Sequence, residues 1–89
     1  MSLHNLDMEK ALLASLMSIE NAFEHIAGKL DIGDFAAGKH EVLFEAIKEL
    51  SKERLPYDSV MVHDWLVANN YSKTVPDSYL AEILSSSPA

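Results

Sequence analysis

The chain has 89 residues and a formal net charge of −7, from 14 acidic and 7 basic side chains. This length supports one domain with a single modest core. The acidic balance argues against an independent grip on nucleic acid or on an anionic membrane surface, because both need clustered Lys and Arg. The absence of cysteine excludes disulfides and thiolate metal sites.

Apolar residues recur at helical spacing through the first thirty positions. Leu13 and Leu16 mark one stripe, which Leu6 extends back towards Asn5, a candidate N-cap. A second helical segment, ending near Gly28, carries its apolar residues at Ile19, Phe23, Ile26 and Leu30. Residues 31–34 have turn chemistry, and we expect the side chain that follows them, Phe35, to return to the core.

A third helix is predicted from about Gly38 to Arg54, with Leu43, Ile47 and Leu50 on one stripe and Phe44 beside it. Its last turn is rich in basic residues, which suits the negative end of the helix dipole. Pro56 must end this helix, because proline biases the residue before it away from helical geometry.

Two further helices are predicted in the last third of the chain. Asp58 or Ser59 would cap the fourth, which carries Val62, Leu66 and Asn69. Thr74 would cap the fifth, with Pro76 just inside it and the apolar residues Leu80, Ile83 and Leu84. No segment alternates with period two for long enough to be a strand. We therefore predict an all-α, compact bundle of about five short helices, with core anchors at Leu13, Leu16, Phe35, Leu43, Phe44, Ile47, Val62, Leu66, Leu80 and Ile83.

The segment Gly33–Lys39 fits the G-x-x-x-x-G-K spacing of a phosphate-binding loop. A true loop of this kind leaves a buried parallel strand and has Ser or Thr after the lysine to hold magnesium. Here His40 follows the lysine, and residues 31–32 are too short to be that strand. A nucleotide-binding enzyme using Lys39 remains a rival hypothesis, but we predict a coincidental match, with no catalytic and no cofactor-binding residue in this chain.

Candidate metal ligands are scattered. The four histidines are His4, His25, His40 and His63. None lies four residues from another, so we expect surface or capping histidines rather than zinc ligands. Two acidic pairs share one face of the third helix: Glu41 with Glu45, and Glu49 with Glu53. Lysines interleave with them, which is typical of a solvated face, and we predict no metal site.

The fourth helix has a second apolar stripe beside its core stripe, formed by Met61, Trp65 and Ala68. A lone tryptophan in this position can be part of the core. It can also be a contact surface for another subunit, where Trp is a preferred anchor and Met is adaptable. We keep these three residues as the candidate protein interface.

Four motifs follow one another along the chain, within residues 4–16, 34–47, 56–66 and 79–83. The first motif is HNL at 4–6, followed by Glu9 and by ALLASL at 11–16. The second is DF at 34–35, followed by His40, by LF at 43–44 and by AI at 46–47. The third is PYDSVMV at 56–62 followed by Leu66, and the fourth is YLAEI at 79–83. In this order and at these separations they resemble the N-terminal domain of bacterial DnaB-type replicative DNA helicases. The chain departs from the family pattern at Met8, Lys10, Ala36, Met61 and Trp65; the last two replace residues that are usually polar.

This resemblance implies a non-catalytic collar domain that supports subunit association in a hexameric ring helicase. It also implies contacts with primase and with the helicase loader during DNA replication. ATP and magnesium would belong to a motor domain missing here, so this fragment would not be an enzyme although its parent would be. The alternative is a stand-alone acidic helical adaptor that binds a replication protein.

The proposed boundaries follow from the two ends. Residues 1–3 are a candidate cloning remnant, residues 4–85 the helical domain, and residues 86–89 the start of a linker or the end of a fragment. We see no signal peptide and no apolar stretch of about 20 residues that could span a membrane. We expect a cytoplasmic protein with no membrane partner. The acidic balance predicts no direct nucleic-acid binding.

Overall fold

The computed structural model describes residues 6–19, 21–26, 28–30 and 32–85. Its five α-helices confirm the predicted all-α bundle: α1 Leu6–Ser18, α2 Ala22–Ile26, α3 Gly38–Lys52, α4 Ser59–Ala68 and α5 Asp77–Ser85. A short 3-10 helix, Ile32–Asp34, joins α2 to α3. The described residues form no β-strand, and none of their helices is long and apolar enough to cross a membrane. The candidate cap Asn5 and the terminal segments 1–3 and 86–89 lie outside the described residues.

Helix α3 lies at the centre of the bundle and packs against α1, α2, α4 and the 3-10 helix, while α5 packs against α1. The ten residues expected as core anchors are all buried, with exposed fractions of 6% or less. Phe44 lies between two other rings, with centroids 5.6 Å from Phe23 and 5.0 Å from Phe35. This aromatic cluster fixes α2 and the 3-10 segment against α3.

The helix ends explain where the chain turns. Asp58 caps α4 as predicted, because its Oδ1 accepts the Met61 N–H at 3.0 Å. Helix α3 ends at Lys52, two residues before the predicted end, and Arg54 follows with a φ of 60°. The Leu55 N–H then donates to the Leu50 carbonyl at 2.9 Å, the closing bond of a Schellman motif.

Three details of the predicted pattern are wrong. Leu6 and Ile19 are 50% and 59% exposed, because Leu6 is the first residue of α1 and Ile19 lies in the bend after its end. Helix α5 begins at Asp77, so Thr74 does not cap it. The residue before Pro76 is biased away from helix. That residue, Val75, instead donates its N–H to the Tyr71 carbonyl at 2.9 Å and is 2% exposed, a core position that the sequence reading missed.

Candidate protein-interaction surface

One buried polar cluster fixes three helices to one another. Glu9 of α1 and His40 of α3 are fully buried, and Glu9 Oε1 lies 2.8 Å from His40 Nδ1. The other carboxylate oxygen accepts the Ala36 N–H at 3.0 Å. On the far side of the imidazole, Nε2 lies 2.5 Å from the hydroxyl of Tyr79 in α5. We call Glu9, His40 and Tyr79 the polar triad.

The electrostatics of the triad favour an ionised Glu9. Burial alone would raise the pKa of this carboxyl, but hydrogen bonds from the Ala36 N–H, His40 and the Ala37 backbone outweigh burial and lower the pKa. A carboxylate only accepts, so His40 donates from Nδ1 to Glu9, and the Tyr79 hydroxyl is the hydrogen-bond partner of Nε2. Each group of the triad then has a partner. The expectation that His40 is a surface or capping residue was therefore wrong.

Two lysines and a glutamate surround the exposed side of Tyr79. Lys39 Nζ lies 3.8 Å from the ring centroid and Lys10 Nζ lies 5.7 Å from it. Lys10 also pairs with Glu82 at 2.9 Å, which joins α1 to α5. Partial burial raises the pKa of the Tyr79 hydroxyl, so Tyr79 stays neutral and remains a hydrogen-bond donor. The lysine of the G-x-x-x-x-G-K match is thus held over an aromatic ring.

The described residues around Gly33–Lys39 do not have the strand-loop-helix arrangement of a phosphate-binding loop. Gly33 lies in the 3-10 helix and Gly38 is the first residue of α3. The residues described immediately before it, 28–30 and 32, include no β-strand.

We predict that the chain does not bind ATP, because none of the described residues before Lys39 forms a β-strand and no hydroxyl follows the lysine to hold magnesium. Calorimetric titration of ATP in the presence of Mg²⁺ measures this directly. A magnesium-dependent dissociation constant tighter than about 100 μM, or about −5.5 kcal/mol, would contradict the prediction.

Within the described ranges, no group of three His, Asp or Glu side chains could hold a metal ion. His25 is exposed, and His63 Nδ1 lies 2.6 Å from Asp77 Oδ1, which joins α4 to the start of α5. His4 lies outside the described residues. The acidic pairs of α3 are half-buried or exposed, and Glu49 Oε2 lies 3.9 Å from Lys52 Nζ.

The structure places the three candidate interface residues on one side of α4. Met61 and Trp65 are half-buried and pack against the core, while Ala68 is exposed. One face of the indole is covered by Tyr71, whose ring is nearly parallel at 11° with its centroid 5.8 Å away. Val67, which the sequence reading did not single out, is 50% exposed on the same helix. It lies across the buried stripe of Val62 and Leu66 from Trp65, so it belongs to a different face. We call Met61, Trp65, Ala68 and Tyr71 the α4 surface.

A family model described as the DnaB-like helicase N-terminal domain matches residues 1–89. The chain belongs to this family. The replicative DNA helicase DnaB of Pasteurella multocida (strain Pm70) is 26% identical to it over 87 residues, which are 97% of this chain and 19% of that protein. The chain therefore spans about a fifth of the length of this curated DnaB relative.

A solved structure shares the fold. The crystal structure of the N-terminal domain of DnaB helicase from Mycobacterium tuberculosis superposes with a TM-score of 0.90 at 23% sequence identity. The match covers 100% of this chain and 62% of that one. At this identity the likeness shows the fold alone. The DnaB N-terminal fold expected from the four sequence motifs is confirmed.

Proposed function

We propose that this chain is the non-catalytic collar and protein-interaction domain of a hexameric replicative DNA helicase in the cytoplasm. It would support subunit association and the contacts with primase and loader. The observation that carries this proposal is the family match over the whole length of the chain. ATP, magnesium and DNA would be bound by a motor domain in the parent helicase.

The chemistry of the described surface is compatible with this role. A net charge of −7 gives poor affinity for a phosphate backbone, so DNA contacts would be left to the motor. The α4 surface offers what a protein contact needs instead, a tryptophan and apolar neighbours beside the core.

The proposal is tested with the primase and the helicase loader encoded in the same genome. Sedimentation velocity of the chain alone and mixed with each protein should show a complex with at least one of them. Absence of any complex would overturn the interaction role. The length of the native reading frame distinguishes the helicase domain from the stand-alone adaptor. A frame that continues into a nucleotide-binding motor supports the helicase, and a frame that ends near Ala89 supports the adaptor.

The α4 surface should act in association rather than in folding. We expect Trp65→Gln to weaken self-association or partner binding while the chain stays helical at room temperature. The thermal midpoint should fall only moderately, by the loss of the indole's contacts with the core and with Tyr71. Ile19→Gln is the matched control, since Ile19 is 59% exposed and lies outside α4. If Trp65→Gln unfolds the chain at room temperature, Trp65 belongs to the core and the interface assignment fails.

A further inference from the structure

A groove of about 540 Å³ lies between α3 and the segment that leads into it, away from the α4 surface. Its apolar lining residues, which we call its floor, are Phe23, Leu30 and Phe44. Its walls carry three lysines, Lys29, Lys48 and Lys52. We call this the lysine groove.

The charge of the lysine groove is opposite to that of the chain. It gathers three of the seven basic side chains, whereas the chain as a whole carries −7. Asp34 is the one acidic residue among the described residues that line it. The groove therefore presents a local excess of positive charge on an acidic protein.

Two of these lysines lie close together on one face of α3, where Glu45 and Glu49 offset part of their mutual repulsion. Lys48 and Lys52 are four residues apart on α3, a spacing at which like charges repel on a helix surface. Glu49 Oε2 lies 3.9 Å from Lys52 Nζ, but the Lys52 side chain is 74% exposed, so this contact compensates weakly. An anion bound between the two ammonium groups would relieve the repulsion.

We propose that the lysine groove docks an acidic peptide segment of a partner protein, with carboxylates on the lysines and one bulky apolar side chain over the floor. Charge complementarity supplies orientation and the apolar side chain supplies burial. A nucleic-acid strand fits less well. Phe44 and Phe23 are only 1% and 8% exposed, so neither ring offers a face on which a base could stack.

The test uses fluorescence anisotropy with a fluorescein-labelled peptide of sequence DEDLFDED. We expect a dissociation constant on the order of 100 μM or tighter at about 50 mM salt, weakening as salt rises. Lys48→Gln with Lys52→Gln should weaken binding by roughly tenfold or more, the loss of about 1.4 kcal/mol. Lys73→Gln is the matched control, an exposed lysine in the turn before α5, and should leave the affinity within about twofold.

Two further peptides distinguish the apolar contribution to binding from the electrostatic one. Serine in place of the Leu-Phe pair should weaken binding, and Asn and Gln in place of the acids should abolish it. Amide chemical shifts should change around residues 28–30 and 48–52. The proposal would be overturned if the peptide did not bind, or if Lys73→Gln lost as much peptide affinity as the Lys48 and Lys52 double variant. Tighter binding of a labelled oligothymidine than of the peptide would also overturn it.

Discussion

Phe44→Ala is expected to lower the free energy of unfolding by about 3–5 kcal/mol. The side chain is 1% exposed and packs between Phe23 and Phe35, with centroid separations of 5.6 and 5.0 Å. Truncation removes the transfer free energy of the ring and both ring contacts. It also leaves a cavity, because α3 is held in place by neighbours on several sides.

Urea unfolding followed by circular dichroism measures the loss. A domain of this size has a total stability of about 5–15 kcal/mol, so this variant should be partly unfolded or should show a midpoint lower by at least about 1 M. Val60→Ala is the control, since Val60 is 65% exposed at the start of α4 and should change stability by less than about 0.5 kcal/mol. An unchanged midpoint for Phe44→Ala would show that the aromatic cluster is not part of the core.

Glu9→Ala is expected to cost a comparable amount, about 3–5 kcal/mol, because it breaks a buried hydrogen-bonded pair and leaves the partners without an acceptor. The Glu9 side chain is completely buried, and its two oxygens accept from His40 and from the Ala36 N–H. Glu9→Gln should cost less, about 1–2 kcal/mol. The amide oxygen can still accept from Ala36, and the amide NH₂ can donate to Nδ1 if His40 changes tautomer and donates to Tyr79.

The same pair of variants carries a pH test. The pKa of Glu9 is lowered in the folded chain, so its contribution to stability is complete above the ordinary glutamate pKa of about 4.3. That contribution is lost as the pH falls through the lowered value, because the unfolded chain then binds the proton more readily. Glu9→Gln should therefore lose less stability than the parent between about pH 5 and pH 3.

Glu82→Gln is the matched control for the pH test. The pKa of the Glu82 carboxyl is also lowered, by the hydrogen bond and charge of Lys10, but the Glu82 side chain is 56% exposed. Solvent screens such a pair, so its stability and pH profile should stay close to those of the parent. If Glu9→Gln keeps the parent's full acid sensitivity, the buried carboxylate is not what couples this fold to pH.

The helix count and the core stripes were readable from the sequence because both depend on local spacing. Helices α1 and α3 each show the helical period, and their predicted anchors are buried. The helical spacing of the sequence also indicated the burial of Glu9 and His40, although we did not predict it. Glu9 lies four residues before Leu13, and His40 three before Leu43, so both continue apolar stripes. What spacing could not show is that two positions 31 residues apart pair with each other.

The α4 surface illustrates a different limit. Helix α4 carries apolar residues around most of its circumference, so its period does not show whether the second stripe, with Met61 and Trp65, belongs to the core or to an interface. The burial of Val62 and Leu66 depends on packing against α3, a tertiary contact. The stacking of Trp65 on Tyr71 depends on the reversal at Asn70, where φ is 64°. The sequence therefore indicated the three candidate interface residues but not the ring that covers one of them.

The polar triad has a consequence for synthesis on the ribosome. Glu9 and His40 can meet once α1 and α3 have emerged, but Tyr79 belongs to the nine residues of α5, the last of the described helices to be made. Until then the imidazole has no hydroxyl beside it, and the part of the core later filled by Leu80 and Ile83 is open to water. Translation of α5 should therefore set the moment at which this domain becomes resistant to proteolysis.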